Sequence, residues 1–80
     1  MPTILRKNGF RFYFYADEGS EPPHIHVDKG PGTIKIWLES LDIAFSRNLK
    51  NSEISVALNI AREHQKEFMT AWTQFHGRKS

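Results

Sequence analysis

The sequence predicts an α+β domain: an antiparallel meander of four to five strands over residues 3–46, with one long C-terminal helix over 52–76 packed on one face of the sheet. Three observations predict it. Residues 10–15 alternate apolar and polar side chains with the period of a strand. Turn-forming clusters punctuate the chain at 8–9, 16–23 and 30–32. From residue 54 onward, apolar side chains recur at helical steps of four and three. Eighty residues supply one hydrophobic core but not two, so residues 1–80 are expected to form a single domain.

The first hairpin is set by Asn8-Gly9, residues that accept the positive φ of a two-residue type I′ turn. It pairs Thr3–Lys7 with the strand 10–15 and sets Leu5 beside Phe12. Phe10, Phe12 and Phe14 then share one face, with Arg11, Tyr13 and Tyr15 on the other. Residues 16–23 read as a loop, because Pro22 and Pro23 cannot donate to a ladder, and the next strand begins at His24. Along it Ile25 and Val27 face one way while His24, His26 and Asp28 face the other. Gly30-Pro31-Gly32 reverses the chain into a strand Thr33–Glu39, whose Ile34, Ile36 and Leu38 oppose Thr33, Lys35, Trp37 and Glu39. A shorter fifth strand, Leu41–Ser46, is expected to add Leu41, Ile43 and Phe45 to the apolar face.

Asn51 or Ser52 is the expected helix cap, with Glu53 near the positive end of the helix dipole. The helical stripe runs through Ile54, Leu58, Ala61, Phe68, Trp72 and Phe75, is widened by Ala57, Ile60 and Ala71, and is interrupted only at Gln65. Gly77 is expected to end the helix, leaving residues 78–80 as a frayed tail. With no repeat or linker in the chain, this stripe and the Phe, Ile and Val face of the sheet have each other to cover. A homodimer in which apolar faces or edge strands meet is the alternative arrangement.

The chain has no cysteine, so neither a disulfide framework nor a thiolate zinc site can hold it together. The opening residues lack the apolar stretch of a signal peptide, and no apolar run approaches the length of a membrane span, which predicts a cytoplasmic protein without membrane contact. A net charge of +2 permits a polyanionic partner without requiring one.

The register set by the Gly30-Pro31-Gly32 turn places His26 opposite Lys35, His24 opposite Trp37 and Asp28 opposite Thr33, and Tyr15 opposite His24 across the long loop sets Tyr13 against His26 and Arg11 against Asp28. Three chemistries suit such a face. Arg11, Tyr13, Tyr15 and Trp37 could bind RNA or a partner protein, rings stacking on bases and cations meeting phosphates. His24 and His26 could act as base and acid on a phosphodiester, with Lys35 stabilising the transition state and no metal or other cofactor required. Alternatively, His24, His26 and Asp28 supply part of a transition-metal site, an incomplete set within one chain. The ordinary reading of each residue stands beside these: exposed strands favour Tyr and Trp anyway, and alternate histidines are common solvent-facing residues. His64, next to the helical stripe, reads as a residue at the rim of the core, and His76 lies near the end of the helix.

The opening Met-Pro-Thr-Ile-Leu-Arg, Gly9-Phe10-Arg11-Phe12 with Phe14-Tyr15, Glu21-Pro22-Pro23-His24-Ile25-His26-Val27 and Ile36-Trp37-Leu38-Glu39 together resemble the small bacterial proteins of domain of unknown function family 4160. The resemblance spans nearly the whole chain and carries no catalytic residue onto it. It implies a compact bacterial protein encoded beside a second small protein, a pattern similar to toxin and antitoxin pairs. It also marks Glu21–Val27 as the hallmark segment, where Glu21 is expected to hold the loop by accepting backbone hydrogen bonds.

The leading expectation is therefore a component of a two-gene, toxin-antitoxin-like module that binds or cleaves RNA through its open sheet face, with a cognate small protein as partner. The alternative is a non-catalytic protein-interaction or transition-metal-binding module.

Overall fold

The computed structural model describes residues 3–15 and 20–76. Five strands, β1 (Thr3–Lys7), β2 (Phe10–Tyr13), β3 (His24–Lys29), β4 (Gly32–Trp37) and β5 (Ile43–Arg47), are followed by two helices, α1 (Asn51–Glu63) and α2 (Gln65–His76). The strands form one antiparallel meander in the order β1-β2-β3-β4-β5. The expected residues 16–19 of the long loop and the helix stop at Gly77 with its tail lie outside the described residues.

Turn chemistry fixes the register as expected. Asn8 and Gly9 both take positive φ, 54° and 81°, and Leu5 faces Phe12. Arg11 pairs with Asp28, Tyr13 with His26, His26 with Lys35 and His24 with Trp37. Gly32 is required by packing: a Cβ there would lie 2.4 Å from the Leu49 side chain, which folds over the start of β4.

Two strands stop earlier than expected. β2 ends at Tyr13 and β4 at Trp37, so Glu39 leaves the sheet for the turn 38–40. The Leu38 amide bonds to the Pro23 carbonyl at 3.0 Å; a proline has no N–H for the ladder but still offers an acceptor.

The fifth strand differs more. Lys35 faces Phe45 but Ile36 faces Ile43, so Ala44 is an extra residue in the ladder. This bulge reverses the alternation, placing Phe45 on the face away from the helices. Ile43 remains on the helix side but at its margin, and Ile43 is 37% and Phe45 45% exposed. Of the three residues expected in the core, only Leu41 packs against it, with φ +64° in the connection to β5.

The core lies between the helices and the other face of the sheet. Phe10, Phe12, Phe14, Ile25, Val27, Ile34, Ile36 and Leu38 are buried against Ala57, Ile60, Ala61, Phe68 and Trp72. Phe12 stacks on Phe68 with ring centroids 5.4 Å apart, and Phe14 meets Trp72 edge-on at 5.3 Å. Phe75, the last residue of the expected stripe, is exposed.

The single long helix is replaced by two helices meeting at His64, where φ is −111° and ψ 17°. The bonds His64 N–H to Ile60 O and Phe68 N–H to His64 O span the junction, so it is a one-residue deflection, not a loop. The deflection falls beside the one polar interruption of the stripe: the Gln65 amide donates to the carbonyls of Leu38 and Glu39 at 2.5 and 3.2 Å.

Neither Asn51 nor Ser52 caps α1. Lys50 occupies the cap, and the Glu53 carboxylate accepts its backbone N–H at 2.9 Å, the reciprocal half of a capping box. Among the described residues no helix is long and apolar enough to cross a membrane.

Candidate functional site: the outer face of the sheet

Residues paired across strands share a face, so the ladder can be followed strand by strand. One row crosses all five strands: Arg6, Arg11, Asp28, Thr33, Arg47. Beside it run Thr3, Tyr13, His26, Lys35 and Phe45, and beyond them His24 and Trp37. The structure thus brings His24, His26, Lys35, Arg11, Tyr13 and Trp37 onto one face, with Tyr15 just past the end of β2.

The first row is organised around Asp28. Its Oδ1 accepts the Tyr13 hydroxyl at 3.0 Å and the Thr33 hydroxyl at 2.9 Å, while Arg11 lies 3.9 Å from Oδ2. The Arg11 guanidinium sits 4.3 Å above the Tyr13 ring and donates to Thr3 Oγ1. Burial, with hydrogen bonding to Tyr15 and Asp28, pushes the Tyr13 phenol well above its ordinary value and keeps it a neutral donor. Asp28 is therefore committed to its own row. Among the described residues no cluster of three or more His, Cys, Asp and Glu side chains that could hold a metal ion is formed.

The histidines sit in a cluster of rings. His26 lies 5.5 Å from Tyr13, 4.6 Å from Tyr15 and 5.1 Å from His24 between centroids. His24 also meets Trp37 at 5.6 Å and, from the helix, Trp72 at 4.9 Å. Because the β2 ladder ends at Tyr13, the expected strand pairing of Tyr15 with His24 does not form, and there the ring from α2 reaches His24. The result is burial: His24 is 0% and His26 6% exposed, and Tyr13 is equally covered. Tyr15 and Trp37 keep partial exposure.

The segment Glu21–His24 is tied down by its own chemistry. His24 Nδ1–H donates to the Pro22 carbonyl at 3.0 Å, an acceptor that fixes the proton on that nitrogen. Among the described residues Glu21 accepts no backbone amide of the kind expected; its Oε1 receives the Lys35 ammonium at 2.8 Å and lies 3.8 Å from His24 Nδ1. Lys35 is thereby neutralised by a carboxylate and held 4.8 Å over the Trp37 ring.

Four residues of this surface escaped sequence reasoning. Arg6 follows from the register of the first hairpin and was legible there. Phe45 and Arg47 depend on the bulge, which has no sequence signal, and Trp72 reads as an ordinary stripe residue. His64 stacks on Phe68 at the rim of the core as expected, with Nδ1 against Glu67. His76 bonds to the carbonyl of Tyr15 at 3.1 Å, joining the end of α2 to the strand that leads into the long loop.

The family model for the Domain of unknown function (DUF4160) matches residues 9–73, and the chain belongs to that family. Comparison with curated proteins and with solved structures found no match.

Proposed function

We propose that this protein is the RNA-binding member of a two-gene, toxin-antitoxin-like module, and that it holds RNA on the outer face of its sheet without cleaving it. The observation that carries the reading is the row Arg6, Arg11, Asp28, Thr33, Arg47: three arginines and one carboxylate, crossing the whole sheet. Neighbouring strands lie about 4.8 Å apart, so a five-strand row presents cations over about 19 Å, suited to tracking a phosphate backbone. Arg6 and Arg47 have no carboxylate partner among the described residues. Phe45, Tyr15 and Trp37 supply partly exposed rings beside the row for base stacking.

Binding is favoured over cleavage by access. An acid and a base must reach the proton they transfer, whereas both imidazoles are enclosed by Tyr13, Tyr15, Trp37 and Trp72. The Lys35 ammonium, expected to stabilise a transition state, is engaged by Glu21. The companion protein rests on the family resemblance.

The test is fluorescence anisotropy with a labelled single-stranded RNA at low salt. Arg6→Glu, an exposed change on β1, should weaken binding about tenfold, the equivalent of about 1.4 kcal/mol, while the RNA stays intact on a denaturing gel. Absence of binding by the wild-type chain refutes the proposal, and so does metal-free cleavage lost in His24→Ala.

A further inference from the structure

The two edges of the sheet are unlike. β1 carries adjacent cations at Arg6 and Lys7, its ladder is irregular between Thr3 and Leu5, and Lys7 is tied to Glu63 on α1 at 3.5 Å. These are the features that discourage further strand pairing. β5 has only one charge, Arg47, and all five of its residues are exposed, Ile43 and Phe45 among them. Its outer side presents a row of N–H and C=O groups with no strand beyond it among the described residues.

We infer that β5 pairs with β5 of a second copy of this chain, antiparallel and centred on Ser46, with Phe45 of each copy opposite Arg47 of the other. The register follows from the faces. A two-fold axis normal to the sheet sets residues of the same face against each other, so the two opposed numbers have an even sum. Centring on Phe45 would set Arg47, on the outer face, against Ile43, which the Ala44 bulge keeps on the helix face. Centring on Ser46 uses only residues 45–47, beyond the bulge, where Phe45 and Arg47 both lie on the outer face. Directly opposed side chains have Cβ atoms about 5 Å apart. Within one chain the Arg47 guanidinium is already 6.0 Å from the Phe45 ring; in the pair it meets a second ring across the strands.

The occupant is a second copy because the contact is self-complementary: each chain brings one ring and one cation, and the axis matches them twice. The pairing also runs the outer face of one sheet into that of the next, joining their arginine rows. It stands independently of RNA binding and is tested without RNA.

The chain has no cysteine, so Ser46→Cys introduces a single thiol that this register places opposite its own counterpart. Mild oxidation should give a disulfide-linked dimer, whereas Ala44→Cys, opposite Asn48, should stay monomeric on a non-reducing gel. In sedimentation equilibrium the wild type should dimerise. Phe45→Lys, which opposes Arg47 with a like charge, should raise the dissociation constant by about tenfold or more, and Phe45→Glu should retain the dimer through an ion pair. A wild type that remains monomeric at high concentration, a dimer equally tight in Phe45→Lys, or cross-linking through position 44 in place of 46 overturns the inference.

Discussion

Replacing Tyr13 with phenylalanine removes one oxygen from the centre of the outer face and tests how that face is held. The Tyr13 hydroxyl donates to Asp28 at 3.0 Å and its ring is packed between the Arg11 guanidinium and His26. The phenylalanine ring keeps the packing, so the loss is the hydrogen bond to a charged acceptor, about 1.5–3 kcal/mol in general. Asp28 is partly exposed, keeps the Thr33 hydroxyl and can recover water, which favours the lower figure of about 1.5 kcal/mol. For a chain of this size that corresponds to a fall in Tm of about 6–12 °C, measured by circular dichroism near neutral pH. The substitution has an alkaline signature as well. The folded state holds the Tyr13 proton more tightly than the unfolded chain, so this contribution is complete below the ordinary tyrosine pKa and declines as pH rises past about 10. Wild-type stability should therefore fall above that pH more steeply than that of Tyr13→Phe. A variant as stable as the wild type, with the same alkaline slope, would refute the role given to the Tyr13–Asp28 bond.

Other substitutions address the core and the helix junction. Phe12→Ala should cost about 3–5 kcal/mol in urea unfolding, because the ring is fully buried and stacked on Phe68. His64→Leu should raise Tm by about 4–8 °C, since His64 Nε2 is buried without a hydrogen-bond partner among the described residues and its removal relieves about 1 kcal/mol; a lower Tm would show that the contact of Nδ1 with Glu67 outweighs it. Both variants should bind RNA as the wild type does while folded.

Much of the fold was legible because local chemistry and periodicity agree. Asn8-Gly9 and Gly30-Pro31-Gly32 set the hairpin registers, and alternation through Phe10–Tyr13 and His24–Asp28 then assigned each side chain its face. What escaped depends on contacts distant in sequence. One extra residue, Ala44, turned Phe45 from the core to the outer face, and nothing in Ile43-Ala44-Phe45 distinguishes a bulge from plain alternation. The apolar stripe is continuous enough to predict one helix, whereas the backbone leaves helical values at His64, beside Gln65, whose amide reaches the carbonyls of Leu38 and Glu39. Period-two patterning also says which face a histidine occupies and not what covers it. His24 and His26 lie on the expected face, yet Tyr13, Tyr15, Trp37 and the helical Trp72 enclose them, so a surface that read as open chemistry is closed over its imidazoles and basic along its arginine row.

The most direct test of the central claim, that this row holds a phosphate backbone, is the salt dependence of RNA affinity. Two to three phosphate contacts on a single strand predict that log K falls against log salt with a slope of about −1.4 to −2. Arg6→Glu should flatten that slope by about 0.7. An affinity indifferent to salt, or a slope unchanged by Arg6→Glu, would contradict the account.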